Sequence, residues 1–121
     1  KKFMGVWYQQ ATVSSVLRDD VTCAKYTYKT SKHGAFLVDS EMISKSGVSV
    51  VTRGVGKPKK HSHKIEVGHF HVINDNDADH SEDYNVLTTD YDSYALIYGC
   101  WELRSFLIYK SQTLEILSRE R

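Results

Sequence analysis

The sequence predicts a single all-β domain over residues 1–121, with eight antiparallel strands and the start of a C-terminal helix. Short runs of β-branched and aromatic residues recur along the chain, and turn-forming residues separate them, with only one proline in total. Several runs alternate, as AKYTYK at 24–29 does, so that one face is apolar or aromatic and the other is polar. Eight such strands, each with one buried face, need either a sandwich or a closed barrel.

The individual strands follow from the positions of the turn residues. We predict turns at KTSKHG, SKSG, GKPKKHS, INDNDADHSED and TDYD, and a tight one at WEL. The tail SQTLEILSRER has a helical pattern instead, with Leu114, Ile116 and Leu117 on a partly buried face. Ser111 or Thr113 can cap this helix. The predicted strands are Gly5–Ala11, Thr22–Lys29, Ala35–Ile43, Val48–Val55, Lys64–Val72, Tyr84–Thr88, Ser93–Trp101 and Arg104–Lys110.

Composition excludes several classes of function. Hydrophobic residues make up 40% and charged residues 26%, as in ordinary globular domains. The net charge of +1 gives no basic excess for nucleic acid or an anionic membrane. No apolar run reaches the ~18 residues of a membrane span, and the opening KKFMGVW is not a signal peptide, so the chain is either cytosolic or has lost a leader. Cys23 and Cys100 allow one disulfide, two free thiols, or two bridges to partners outside the chain.

Three motifs occur in an order that resembles the lipocalin family. GVW at 5–7 opens the first strand, TDYDSYALIYGC at 89–100 forms a late hairpin, and YKSQTL at 109–114 places a basic residue at the end of the last strand. The middle motif is the most specific, and it is similar to the form in the apolipoprotein D, retinol-binding and insect bilin-binding branch. The resemblance implies a secreted, eight-stranded up-and-down barrel, closed at one end and open at the other, which carries a small apolar ligand.

The resemblance also implies a structural floor at the closed end of the barrel. Trp7 would be a large apolar plug, with a cation from the last strand across its ring. Lys110 is favoured as this cation because YKSQTL resembles the family's basic-Ser-Pro-x-Leu ending, with Gln112 in place of proline. The alternative, Arg119 in ILSRER, would place Glu115 inside the barrel. In the late hairpin we expect Asp90 to accept backbone N–H bonds. The floor residues implied in this way are Gly5, Trp7, Thr89, Asp90, Tyr91 and Lys110.

The chain departs from the family pattern at both ends. The family has further residues before G-x-W, and a full helix and another strand after the last motif, so we expect a truncated or reduced version. In the bilin-binding branch, the cysteines that match Cys23 and Cys100 each pair with a terminal cysteine. We therefore predict no Cys23–Cys100 bridge, so that iodoacetamide labels both cysteines of the denatured, unreduced protein. Protection of both thiols would contradict this.

Strand parity, anchored on the motifs, predicts which side chains face the barrel interior, and a one-residue slip would invert any set. Small residues at Ala24, Ser40, Ala95 and Gly99 favour a cavity over a filled core. The lining is mostly apolar with a few hydroxyls and imidazoles, as expected for a flat, partly polar ligand. The predicted ligand-binding residues are Tyr26, Tyr28, Phe36, Val38, Ser40, Val67, His69, His71, Tyr84, Ile97, Phe106 and Ile108.

No metal site is predicted, although three patterns have suitable spacing. HSH at 61–63 and HFH at 69–71 can bind Zn²⁺ or Cu²⁺, but lysines surround the first, which favours a solvated loop there. We expect His69 to make a polar contact to the ligand instead. Asp75, Asp77 and Asp79 have the opening spacing of a calcium loop. The sixth-position glycine and the distal glutamate are missing, so a solvated loop is favoured.

A carrier is favoured over an enzyme. Neither cysteine stands beside a histidine, there is no glycine-rich phosphate loop, and no carboxylate pair is clearly placed inside the barrel. We expect a secreted carrier of a bilin, carotenoid, retinoid, fatty acid or odorant, with no required cofactor and with homo-oligomer or receptor contacts through the loops left open. One alternative is a rim-loop interaction or defence protein with a filled barrel. Another is an intracellular fatty-acid carrier, whose barrels normally have more strands and lack the T-D-Y hairpin.

Overall fold

The computed structural model describes residues 2–15, 21–61, 64–74, 77–104 and 108–121. Within these ranges, only the backbone is described for 21, 61, 64–67, 77–80, 101–104 and 108–109.

The eight strands form one closed antiparallel barrel, which confirms the predicted fold class. Each strand pairs with its neighbours in sequence, and the last strand closes the barrel by pairing with the first. A short 3₁₀ turn at Lys32–Gly34 joins the second strand to the third. The strands are β1 (Gly5–Ser14), β2 (Val21–Thr30), β3 (Phe36–Ser44), β4 (Ser49–His61), β5 (Lys64–Asn74), β6 (Asp77–Thr89), β7 (Tyr94–Arg104) and β8 (Ile108–Ser118).

The predicted C-terminal helix is wrong, because this segment completes β8 and pairs with both β7 and β1. Along β8 the buried Ser111 and Leu117 share the inner face with Glu115, while Gln112 and Ile116 between them are exposed. This is the two-residue period of a strand. Polar residues on the inner face conceal that period, because the pattern of apolar residues then looks irregular.

The later hairpins also extend further than predicted. The residues WEL at 101–103 lie inside β7, where Glu102 pairs with Lys110 of β8, so they form no turn. The predicted eighth strand, Arg104–Lys110, therefore combines the end of β7 with the start of β8. Most of GKPKKHS and INDNDADHSED likewise belongs to the long strands β4, β5 and β6. Polar sequences of this kind form strands here because their backbone groups pair across antiparallel hairpins.

Trp7 forms the floor at one end of the barrel. Its side chain is fully buried, and its indole N–H donates a hydrogen bond of 2.8 Å to the carbonyl of Phe3, whose ring stacks on it at 5.0 Å. The guanidinium of Arg119 lies over the indole, 3.7 Å from the ring centroid. Lys110 is exposed and lies on the far half of β8. The prediction of Lys110 as the floor cation is therefore wrong, and Arg119 has this position.

Arg119 joins the two ends of the chain to the late hairpin. Its guanidinium donates to the carbonyl of Val6 at 2.9 Å, of Tyr91 at 3.1 Å and of Lys2 at 3.2 Å. Gly5 makes this approach possible, because its φ of +105° disfavours other residues and a Cβ there would lie 3.1 Å from the guanidinium. The G-x-W motif thus supplies both the plug and the space for the cation that covers it.

Asp90 organises the hairpin between β6 and β7. Its Oδ1 accepts hydrogen bonds from the backbone N–H groups of Asp92 at 3.1 Å, Ser93 at 2.9 Å and Tyr94 at 3.0 Å. These bonds, together with the Ser93 hydroxyl, hold the pKa of Asp90 well below its usual range. Thr89 accepts a hydrogen bond from the N–H of Tyr91, which adopts a φ of 70°. The hairpin thereby directs the Tyr91 carbonyl at Arg119.

Both cysteines are free, and no bridge joins them. Cys23 is exposed on β2 and Cys100 is half-buried on β7, two strands that do not neighbour each other in the barrel.

The floor predicts a difference between two basic residues of the same segment. Arg119→Met removes the contact with Trp7 and leaves three carbonyls without their donor, so the free energy of unfolding should fall by about 2 kcal/mol. Lys110→Met, an exposed control, should change it by less than about 0.5 kcal/mol. Urea denaturation followed by tryptophan fluorescence measures both. Equal effects of the two variants would contradict the assignment of Arg119 to the floor.

Candidate functional site

Four aromatic side chains meet inside the barrel from four different strands, and we call them the aromatic layer: Tyr28 of β2, Phe36 of β3, Phe70 of β5 and Tyr84 of β6. The rings of Phe36 and Phe70 meet edge to face at 4.9 Å, and those of Tyr28 and Phe36 at 5.7 Å. The hydroxyls of Tyr28 and Tyr84 are hydrogen-bonded to each other. Aromatic contacts therefore link opposite walls of the barrel.

A cavity of about 610 Å³ lies against this layer, at the end of the barrel where the floor is. We call it the aromatic cavity. Apart from the aromatic layer, its walls come from the N-terminal segment, the turn after β2, the Gly68 region of β5 and the late hairpin. Most of them are apolar, and hydroxyl groups are spaced around them. These residues are Lys2, Phe3, Met4, Thr30, Ser31, Gly34, Ala35, Gly68, Val86, Leu87, Thr88, Thr89 and Tyr91.

Two glutamates face the interior beyond the aromatic layer. Glu115 of β8 accepts a hydrogen bond of 3.3 Å from the hydroxyl of Tyr26 and another from the side chain of Gln9. Glu82 of β6 has no hydrogen-bond donor among the described residues, and its carboxylate lies over Gly99 of β7, against the place where a Cβ would be. We call Glu82 and Glu115 the carboxyl pair.

Burial raises the pKa of both carboxyl groups of the pair. It raises the pKa of Glu82 to about 7, and the nearby charge of Glu115 acts in the same direction. Burial also raises the pKa of Glu115, although the bonds from Tyr26 and Gln9 oppose this. Glu82 is therefore partly protonated near neutral pH. Its protonated form can donate a hydrogen bond, and its ionised form can only accept hydrogen bonds.

The three phenols around the pair stay neutral. Burial raises the pKa of Tyr26, Tyr28 and Tyr84, and the negative charge of Glu115 raises all three further. A neutral phenol can donate one hydrogen bond and accept others. The interior therefore offers hydroxyls and carboxyls between largely apolar walls.

The family follows from a comparison with known proteins. A model of the lipocalin-like domain matches residues 1–115, which is most of the chain. This protein belongs to the lipocalin family.

This lipocalin is similar to two curated relatives and to three solved structures. Apolipoprotein D of Mus musculus is 28% identical over 102 residues, covering 83% of this chain and 50% of the relative, and apolipoprotein D of Rattus norvegicus matches to the same extent. The chain thus spans about half the length of these curated relatives.

Lobster apocrustacyanin A1 is 25% identical with a TM-score of 0.72, over 98% of this chain and 61% of that one. The siderocalin Ex-FABP has a TM-score of 0.72 at 18% identity, over 99% and 75%. Cockroach allergen Per a 4 has 0.69 at 20%, over 98% and 67%. The last two similarities show the fold alone.

The lipocalin barrel brings most of the predicted ligand-binding residues to its inner face. Tyr28, Phe36 and Tyr84 border the aromatic cavity, and Val38 and Ile97 are buried in the same cluster of core residues. Tyr26 contacts Glu115, and Ser40 pairs with Tyr26 across β2 and β3. Phe106 lies outside the described residues, and the side chains of Val67 and Ile108 are outside them too.

Where the side chains of β5 are described, from Gly68 onward, the predicted inner face is wrong by one residue. Phe70 and Val72 pack against the buried core, so His69 and His71 between and beside them lie on the outer face. His71 is bonded there to Asp83 at 3.2 Å. The alternation of the segment HFHV, with its apolar residues at 70 and 72, is the signal that indicates the correct face.

None of the three metal patterns of the sequence forms a cluster among the residues that the structure describes. Asp75 lies outside those residues, as does His63, and Asp77 and Asp79 belong to β6 rather than to a loop. In the same part of the chain, no helix has the length and hydropathy needed to cross a bilayer.

The carboxyl pair is the part of the site that the sequence analysis missed. The sequence places no carboxylate pair clearly inside the barrel, yet the structure buries both Glu82 and Glu115 there. The position of Glu115 inside was treated as an argument against Arg119 as the floor cation, yet both occur together. Glu115 lies two positions before Leu117 and therefore on the same strand face, so the parity of β8 is the signal that indicates its inward position.

The carboxyl pair predicts an unusual dependence of stability on pH. Because the folded-state pKa of Glu82, about 7, lies above its ordinary 4.5, the native protein holds a proton that the unfolded chain has released between these values. The free energy of unfolding should therefore fall by up to about 3 kcal/mol as the pH rises from about 4.5 to about 7. Asp90 has the opposite effect, because its pKa is lowered in the folded state. The free energy of unfolding that it contributes is lost as the pH falls below its ordinary pKa of 3.8.

Urea denaturation at a series of pH values tests this with matched variants. Glu82→Gln should remove most of the fall, whereas Glu41→Gln on the outer face of β3 should keep it, since Glu41 pairs with Lys25 near solvent. A wild-type profile that stays flat from pH 5 to pH 7 would be incompatible with a buried carboxyl pair.

Proposed function

We propose that this lipocalin captures a small hydrophobic molecule inside its barrel and carries it outside the cell. The observation that carries the proposal is the aromatic cavity of about 610 Å³, which has the size and lining of a small-molecule site. Tyr28, Phe36 and Tyr84 border it, as the carrier hypothesis requires. The cavity supports a carrier over the alternative of a filled barrel that acts only through its rim loops.

Binding in such a cavity rests on withdrawing apolar surface from water. Each Å² of apolar ligand surface that is buried contributes about 25 cal/mol. The hydroxyls of Thr30, Ser31 and Thr88 around the walls can orient a polar group without adding charge. The walls are therefore suited to a largely apolar molecule with few polar atoms, and no chemical step is needed for this function.

The relatives support the same class of function. Both curated relatives are named apolipoprotein D. A bilin, carotenoid, retinoid, fatty acid or odorant remains within the proposal, as does secretion, which follows from the family resemblance. The absence of a required cofactor and of catalysis is part of the proposal too.

A bulky side chain in the aromatic cavity should block binding. We expect the neutral dye Nile red to bind the wild type with a rise in fluorescence, and Val86→Trp to weaken its affinity at least about tenfold by filling the space. Val51→Trp, the same change on the outer face of β4, is the matched control and should leave the affinity unchanged.

Native mass spectrometry with a panel of lipophiles provides an independent readout. A wild type that retains neither the dye nor any lipophile would overturn the carrier proposal. An equal loss of dye binding in both tryptophan variants would show that the dye does not occupy the aromatic cavity.

A further inference from the structure

The interior beside the aromatic cavity has negative groups and no positive one among the described side chains. The carboxyl pair, Glu82 and Glu115, faces this space. The basic side chains lie elsewhere: Arg119 is at the floor, His71 is bonded to Asp83 on the outer face, and Lys2 is at the cavity wall on the N-terminal side. Because a fatty acid carries a carboxylate, an interior with two carboxyl groups and no cation is not suited to it.

The groups that face Glu82 can be named strand by strand. From β2 come the neutral phenols of Tyr26 and Tyr28, and from β8 comes Glu115. On β6 itself Tyr84 lies two residues away on the same face, and β5 and β7 contribute Phe70, Val72, Ile97 and Gly99, which are all uncharged. No described cation therefore neutralises the pair.

The carboxyl group of Glu82 lacks hydrogen-bond donors among the described residues. No described residue donates a hydrogen bond to it, whereas Glu115 has two donors, Tyr26 and Gln9. None of the fully buried polar side-chain atoms in the described part lacks a partner, so the unpartnered oxygens of Glu82 border open space in the barrel. Gly99 keeps that space available, because any side chain there would displace the carboxylate. Buried polar groups normally have a hydrogen-bond partner, so a largely buried carboxyl that faces open space is a candidate to bind a ligand.

The aromatic cavity and the carboxyl pair meet at two shared side chains. Tyr28 and Tyr84 border the cavity, and Tyr84 pairs with Gly99, over which the Glu82 carboxylate lies. The ring of Tyr28 is 6.4 Å from that of Tyr26, which donates to Glu115. These two hydroxyls, which are bonded to each other, lie between the cavity wall and the carboxyl pair, and neither glutamate belongs to that wall. A ligand in the cavity that extends past the two hydroxyls reaches Glu82. Aromatic ring faces also attract cations.

We propose that the ligand carries a protonated nitrogen on an apolar skeleton, and that Glu82 and Glu115 bind this nitrogen while the aromatic layer holds the skeleton. The proposal rests on the carrier function proposed above and narrows it to lipophilic amines or similar cations. A cation between two carboxylates removes their mutual repulsion in a medium of low dielectric. A carboxylate ligand such as a fatty acid anion would add a third negative charge and should bind worst.

Three probes with the same alkyl chain test this: dodecylamine, dodecanol and dodecanoate, each competing with bound Nile red at about pH 8, above the pKa of Glu82 of about 7. We expect the amine to bind at least about tenfold more tightly than the alcohol, and the carboxylate to bind more weakly than the alcohol. At about pH 5, where Glu82 is protonated and the amine still charged, the ratio of amine to alcohol affinity should shrink.

Variants separate the carboxyl pair from general effects of charge. Glu82→Gln should lower the ratio of amine to alcohol affinity several-fold, and the double variant with Glu115→Gln should bring it close to unity. Glu41→Gln on the outer face is the matched control and should keep the wild-type ratio. Far-ultraviolet circular dichroism checks that each variant is folded.

The outcomes distinguish the two proposals. If Nile red and alcohol bind but the amine binds no better than the alcohol, the amine proposal is overturned and the carrier proposal stands. A wild-type ratio that survives in the double variant would also overturn it, since the nitrogen would then be bound elsewhere. If no probe and no dye binds, the carrier proposal itself fails.

Discussion

The contact between Arg119 and Trp7 is the constraint on which the rest of this barrel depends. Arg119 follows the end of β8, and Trp7 lies near the start of β1, so their contact closes the barrel where its first and last strands meet. It also fixes the parity of β8, because side chains alternate between the two faces of a strand. With Leu117 buried against the floor, Glu115 must face inward. The floor contact and the buried carboxyl are therefore consequences of one register.

The interior charge that results is costly for folding. A buried carboxyl loses hydration, and two of them also repel each other, so each keeps its proton more tightly than it would in water. Tyr26 and Gln9 offset part of this cost at Glu115, while Glu82 has no such compensation among the described residues. Groups that weaken the fold and have no structural partner are typical of binding sites. The residues that lower stability and that we propose bind the ligand are therefore the same, Glu82 of β6 and Glu115 of β8.

The sequence predicts the barrel well where apolar and polar residues alternate cleanly, and poorly where the inner face is itself polar. β2 and β3 alternate, so Tyr28, Phe36 and Val38 were placed correctly on the inner face. β8 has Ser111 and Glu115 inside, so its remaining apolar residues have a spacing that resembles that of a helix. The choice of Lys110 over Arg119 failed for the same reason, since a buried glutamate was treated as an error rather than as a feature. Periodicity reports hydrophobicity, so it cannot identify a strand whose function requires buried charge.

Gly99 shows how the recognition properties of this lipocalin can change without any change in the residues that contact a ligand. The carboxylate of Glu82 occupies the volume that a side chain at position 99 would fill. Even a methyl group there would push the carboxylate into the open interior and move its charge relative to Glu115. Divergence within the family can thus act on the wall behind a ligand-binding group, and a comparison restricted to lining residues would overlook it.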